Sequence, residues 1–150
     1  NNFVSWSPDG RWIAFEADRD RDDPEIFLAN AVDGTNQQRL TYSQALDEVP
    51  SWSPDGRFIL FSSDRHDKPL SRNYDIYIIA MGGGNPRRLT NTPGAASYPS
   101  MSPDGRYIAF SYRAPGESST DVMLMNADGS GVRNLITEAD IPRFAPAWDD

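Results

Sequence analysis

The residues of this chain with the chemistry to bind or to catalyse gather in a few polar stretches. Asp18-Arg19-Asp20-Arg21-Asp22-Asp23-Pro24 holds four carboxylates, at Asp18, Asp20, Asp22 and Asp23. Spaced aspartates suit a hard cation such as calcium, which takes roughly six to eight oxygen ligands. This stretch lacks the glycine and the closing glutamate of an EF-hand loop, and Arg19 and Arg21 interrupt it. The expectation is therefore a solvated loop, with no metal and no cofactor; calcium is the ion it would suit. Asp47-Glu48 forms a second acidic pair. Together the two stretches would make an acidic patch that prefers a cationic partner. Arg65, His66, Lys68 and Arg72 lie in a third segment, so the polar surface is mixed in sign.

Catalysis finds little support in these residues. His66 is the only histidine. A Ser-His-Asp triad would have to use it, and no Gly-x-Ser-x-Gly elbow is present. Paired carboxylates can cleave glycosides when their separation is fixed, but nothing in the sequence fixes one here. No catalytic residue is expected, and His66 reads as an exposed loop residue.

Composition narrows the class. There is no cysteine, which excludes a disulfide framework and thiolate chemistry. Fourteen Lys and Arg against 22 Asp and Glu leave a net charge of −8. That opposes binding to nucleic acid or to an anionic membrane by simple charge attraction. No long apolar run predicts membrane insertion, and no secretory segment is visible.

The elements that must position these loops come from a repeat. Ser5-Trp6-Ser7-Pro8-Asp9-Gly10-Arg11-Trp12-Ile13 returns as Ser51-Trp52-Ser53-Pro54-Asp55-Gly56-Arg57-Phe58-Ile59. It returns again as Ser100-Met101-Ser102-Pro103-Asp104-Gly105-Arg106-Tyr107-Ile108. A fourth copy begins at Ala145-Pro146-Ala147-Trp148. Trp6, Trp52, Met101 and Trp148 are spaced by 46, 49 and 47 residues. Such a period marks a repeat architecture.

Each unit has the same grammar. A short apolar run follows the glycine: Trp12-Ile13-Ala14-Phe15, Phe58-Ile59-Leu60-Phe61, Tyr107-Ile108-Ala109-Phe110. After a variable loop, an acid introduces a second run: Glu25-Ile26-Phe27-Leu28, Asp75-Ile76-Tyr77-Ile78-Ile79, Asp121-Val122-Met123-Leu124-Met125. A tight glycine-containing turn leads to Arg39-Leu40-Thr41, Arg88-Leu89-Thr90 or Asn134-Leu135-Ile136. The runs are short, aromatic and β-branched, and turn residues bound them, so they read as strands. Pro-Asp-Gly presets φ at proline and supplies positive φ at glycine, which closes a hairpin. Asp9, Asp55 and Asp104 read as local turn formers, with Gly10, Gly56 and Gly105 completing the turns.

Four antiparallel strands at this period make a β-propeller blade. The predicted fold is all-β: three four-stranded repeats at about 3–46, 47–96 and 97–143, and the start of a further strand at 144–150. With strands named A to D in each unit, strand B is apolar on both faces. A half-buried strand would alternate with polar residues, so each B strand is expected to lie between two neighbouring sheets.

The phrases Pro50-Ser51-Trp52-Ser53-Pro54-Asp55-Gly56-Arg57, Ile59-Leu60-Phe61-Ser62-Ser63-Asp64-Arg65, Asp75-Ile76-Tyr77 and Arg87-Arg88-Leu89-Thr90 resemble the TolB-type propeller repeat. The resemblance covers essentially the whole chain, three times over. It implies a propeller scaffold, and by family habit a periplasmic or extracellular setting. Similar repeats occur in the periplasmic protein TolB, which binds the peptidoglycan-associated lipoprotein. They also occur in prolyl-oligopeptidase-like peptidases and in oligogalacturonate lyases. The fold does not choose among these functions. A lyase-type site would need a cluster of histidines, from which one histidine departs.

The resulting expectation is a non-catalytic scaffold that binds a protein or cell-envelope component. The alternatives are the accessory propeller of a larger enzyme and a polysaccharide-binding or lyase-like propeller. In an up-and-down blade the A–B and C–D turns share one end, and the B–C and D–A loops share the other. The B–C loops at 17–24, 63–74 and 112–120 differ in length and composition, as do the D–A loops at 41–48, 91–98 and 137–143. Variable loops on a rigid scaffold are where recognition resides, so the loop end is the expected functional face. Three blades fall short of the roughly four to eight of a closed ring. The chain is thus expected to be a homo-oligomer or part of a longer propeller. The duplication of the strand-A role at 3–6 and 144–148 complicates a clean two-copy ring.

Overall fold

The computed structural model describes residues 3–18, 23–67 and 71–136. Twelve strands and no helix are found among them. The first sheet comprises β1 (Val4–Trp6), β2 (Trp12–Ala17), β3 (Glu25–Asn30) and β4 (Gln38–Arg39). The second comprises β5 (Asp47–Trp52), β6 (Phe58–Ser63), β7 (Asp75–Ala80) and β8 (Arg87–Arg88). The third comprises β9 (Ala95–Met101), β10 (Tyr107–Arg113), β11 (Asp121–Asn126) and β12 (Arg133–Ile136). Each sheet is an antiparallel meander in sequence order, as the repeat predicts. The fourth-unit position Trp148 lies outside the described residues.

Both faces of the middle sheet are dry. Ile59, Phe61, Tyr77 and Ile79 pack with Ala14, Ile26 and Leu28 of the first sheet. Leu60, Ile76, Ile78 and Leu89 pack with Ile108, Phe110 and Met125 of the third. Ile59, Leu60 and Phe61 are consecutive, yet all are fully buried. Each such side chain contributes about 1.5–3 kcal/mol of burial, and that alternation of sides locks the sheets face to face. The A strands form the contiguous inner row: β1 lies against β5, and β5 against β9.

The turns follow the sequence closely. Gly56 adopts φ 70°, which favours glycine. Asp55 Oδ1 accepts from the Ser53 hydroxyl and from the Arg57 amide at 3.0 Å. The Ser53 oxygen accepts in turn from the Phe58 amide at 3.0 Å. The same pattern forms around Asp9 and Asp104.

Candidate functional site

The described parts of the B–C and D–A loops lie at one end of the three sheets, as the strand order requires. This end is built on carboxylates that point inward. Glu25, at the head of β3, accepts from Arg39 Nη2 at 2.7 Å, from the Thr41 hydroxyl and from the Ser43 amide at 2.7 Å. The Thr41 oxygen accepts from the Ile26 amide at 2.9 Å. The second sheet repeats this: Asp75 accepts from Arg88 and Thr90, and the Thr90 oxygen accepts from the Ile76 amide. In the third sheet Asn134 and Ile136 replace the Arg and Thr, and Asn134 bonds Asp121 at 3.3 Å. The acid before strand C and the Arg-Leu-Thr of strand D are thus one staple that ties the outer strand to its neighbour.

Several expected surface residues belong to this framework, which takes Asp47 out of the expected acidic patch. Asp47 is fully buried in β5, with Ser63 and Arg65 donating to it. Burial pushes its carboxyl up to about 6, against the pull of the Arg65 guanidinium. Arg65 is only 20% exposed and lies over the stacked rings of Phe61 and Tyr77. His66 is an exposed loop residue, as expected, but its ring is not free: Nε2 lies 2.9 Å from Asp75. Glu48 is half-buried and accepts from the Tyr74 hydroxyl at 2.7 Å. Burial and that carboxylate raise the Tyr74 pKa. Asp18 is exposed and Asp23 half-buried, while Asp20, Asp22 and Lys68 lie outside the described residues. No cluster of metal-ligating side chains forms among the described residues.

The residues that shape this end were not singled out in the sequence. Asp64 is fully buried and accepts from the Leu46 amide at 2.9 Å and the Arg72 amide at 3.0 Å, pinning both loops of the second sheet. A bulge interrupts β5 and β9, where Val49 and Tyr98 each take φ 56°. This conformation is strained for such side chains. A preceding sheet holds each bulge: Glu16 Oε2 accepts from the Val49 amide at 2.8 Å, and Ser62 Oγ from the Tyr98 amide at 3.2 Å. Burial raises the Glu16 pKa. Glu16 and Ser62 occupy the same repeat position, as do Phe3, Val49 and Tyr98. That coincidence was the available signal.

Phe3 and Tyr98, from the first and third sheets, meet edge to face at 5.6 Å. They wall a cleft of about 520 Å³ whose lining also includes Glu48, Tyr74, Arg72 and Arg113. A roomier cleft of about 750 Å³ lies at the turn end, between the second and third sheets. Its lining is largely repeat turn, including Pro54, Asp55, Pro103 and Asp104. Those carboxylates are already occupied: the Ser102 hydroxyl above all holds Asp104 down at about 2, and Ser53 lowers Asp55 likewise.

The chain matches the family model described as TolB beta propeller domain over residues 1–148. It is similar to a TolB-type structure from Agrobacterium tumefaciens, at 26% identity and a TM-score of 0.78, over 89% of this chain and 48% of that one. It is also similar to TolB from Acinetobacter baumannii, at 28% identity and a TM-score of 0.75, over 97% of this chain and 35% of that one. A chain of a nidogen/laminin complex shares the fold alone, at 14% identity and a TM-score of 0.67, over 87% of this chain and 46% of that one. The chain thus spans less than half the length of these structures. No curated protein matches it.

Proposed function

The chain belongs to the TolB beta propeller domain family, and from that premise we propose a non-catalytic binding module that engages a protein or another cell-envelope component through its loop end. The setting we assign is the periplasm or the cell exterior, by family. The observation that carries this reading is the cleft walled by Phe3 and Tyr98 among loops that differ from blade to blade. The strained bulge at Tyr98 is held by Ser62 of the neighbouring sheet, so that side of the wall is preorganised. The buried acids support a structural role, because backbone amides, hydroxyls or guanidinium groups already use them. His66 is held on a carboxylate shared with Arg88 and Thr90, which gives it a structural partner.

Site-specific photo-cross-linking in the native cells tests the assignment. A cross-linker at Ser71 or Glu117, on the loop end, should capture one discrete partner. The same group at Asp55 or Asp104, on the turn end, should not. Capture from the turn end alone would invert the functional face.

A further inference from the structure

Resting on that reading, we propose that the loop-end cleft receives a protein segment that carries one carboxylate beside an apolar side chain, the carboxylate held by Arg72 and Arg113 and the apolar group set against Phe3 and Tyr98. The two arginines line both this cleft and an adjoining groove of about 410 Å³, so they stand at the shared rim of the two depressions. Both are exposed. Among the described residues neither guanidinium has an ion-pair partner, whereas Arg39, Arg65, Arg88 and Arg106 are each paired with an acid. Their backbones are fixed. The Arg72 amide is bonded to buried Asp64, and Arg113 ends β10 in register with Ala95. Guanidinium groups presented from a held backbone suit bidentate capture of a carboxylate.

The surrounding acids narrow the ligand. Glu48 lines the same cleft but is engaged by Tyr74, and exposed Glu117 lines the adjoining groove. The chain carries a net charge of −8. A polyacidic partner would be repelled by the chain as a whole, so a single carboxylate flanked by neutral residues fits best. Beside the arginines, the edge-on ring pair offers an apolar wall for a neighbouring aromatic or aliphatic side chain.

The probe is the blocked peptide acetyl-Gly-Phe-Glu-Gly-amide, titrated against isotopically labelled protein and read by NMR. Saturable shifts are expected at the Arg72 and Arg113 Nε–H groups and at the Tyr98 amide. The Gln counterpart of the peptide should bind about tenfold more weakly, and the Lys counterpart not measurably. Raising the salt should weaken the Glu peptide. Arg72→Gln and Arg113→Gln should each lose about tenfold, with unchanged amide spectra elsewhere showing that the fold persists. Equal binding of the Glu and Gln peptides to the unmodified protein would overturn the proposal without recourse to any variant. So would no binding at millimolar peptide, or shifts confined to the turn end. Tighter binding of free glucuronate than of the peptide would overturn the assignment to a protein segment. The broader reading fails separately. A partner that still cross-links to the loop end of the Arg72→Gln, Arg113→Gln double variant, with no peptide binding, would sink this inference alone. Cross-linking from the turn end only, with the Glu peptide still bound, would sink the broader reading.

Discussion

The indole Nε1 of Trp52 donates to the carbonyl oxygen of Ser5 at 3.1 Å, across the boundary between the first two sheets. Trp52 therefore belongs energetically to two blades. It is 7% exposed, whereas Trp6, the same repeat position one unit earlier, is 62% exposed. Trp52→Ala should cost roughly 3–5 kcal/mol, as a large core truncation does. Trp6→Ala should cost far less in the isolated chain. Urea denaturation of both variants checks this, and equal small losses would break the assignment.

Exposed Trp6 and Val4 lie together on the first strand, with 62% and 55% of their surface in solvent. The chain should self-associate as its concentration rises, because covering these groups removes apolar surface from water. Sedimentation velocity should show mass above 16.7 kDa that Trp6→Glu reduces. A single 16.7 kDa species throughout would count against it.

Thr90 joins strand D to strand C twice, donating to Asp75 and accepting from the Ile76 amide. Thr90→Val keeps the volume and leaves two buried polar groups short of a partner. The expected loss is about 1–3 kcal/mol. Thr41→Val should lose a similar amount in the first sheet. Thermal melts that leave both variants unchanged would show that the staple is not structural.

Gly56 has φ 70°, and a Cβ placed there would meet Pro8 at an ordinary 3.7 Å. The cost of Gly56→Val is therefore conformational, not steric, at about 1–3 kcal/mol. Asp55→Asn should leave partner binding intact, because that carboxylate serves its own turn. Loss of the loop-end cross-link in a folded Asp55→Asn variant would contradict this.

The pH dependence has two limbs. Burial raises the Asp47 pKa from 3.8 to about 6, so the folded chain binds its proton more tightly than the unfolded chain does. That contribution is present below about pH 4 and is lost as pH rises toward 6, by at most about 3 kcal/mol. Glu16 shifts the same way. Asp9, Asp55 and Asp104 are lowered, so they stabilise above about pH 4 and lose that as pH falls. Denaturation midpoints should therefore fall between pH 4 and 6, and Asp47→Asn should flatten that limb. An unchanged slope in Asp47→Asn would assign the limb to other groups.

The repeat, the strand order and the turns could be read from the residues alone. Those features rest on local spacing: proline and glycine set φ within a few residues, and Asp55 reaches only two positions along the chain. Burial of β6 on both faces was also legible, because Ile59-Leu60-Phe61 leaves no polar side, whereas Trp12, Ile13 and Phe15 of β2, in an end sheet, are only half-buried. Which acids are surface and which are framework depends on how the blades pack. Asp47 and Glu48 read as an exposed pair, yet Asp47 is closed off by Arg65 and Glu48 is bonded to Tyr74, 26 positions away. The bulge at Val49 is held by Glu16, 33 positions earlier and in another sheet. Phe3 and Tyr98 meet only because three sheets turn about a common inner row. A carboxylate's exposure depends on what the next blade places against it, and that contact has no local trace in the chain.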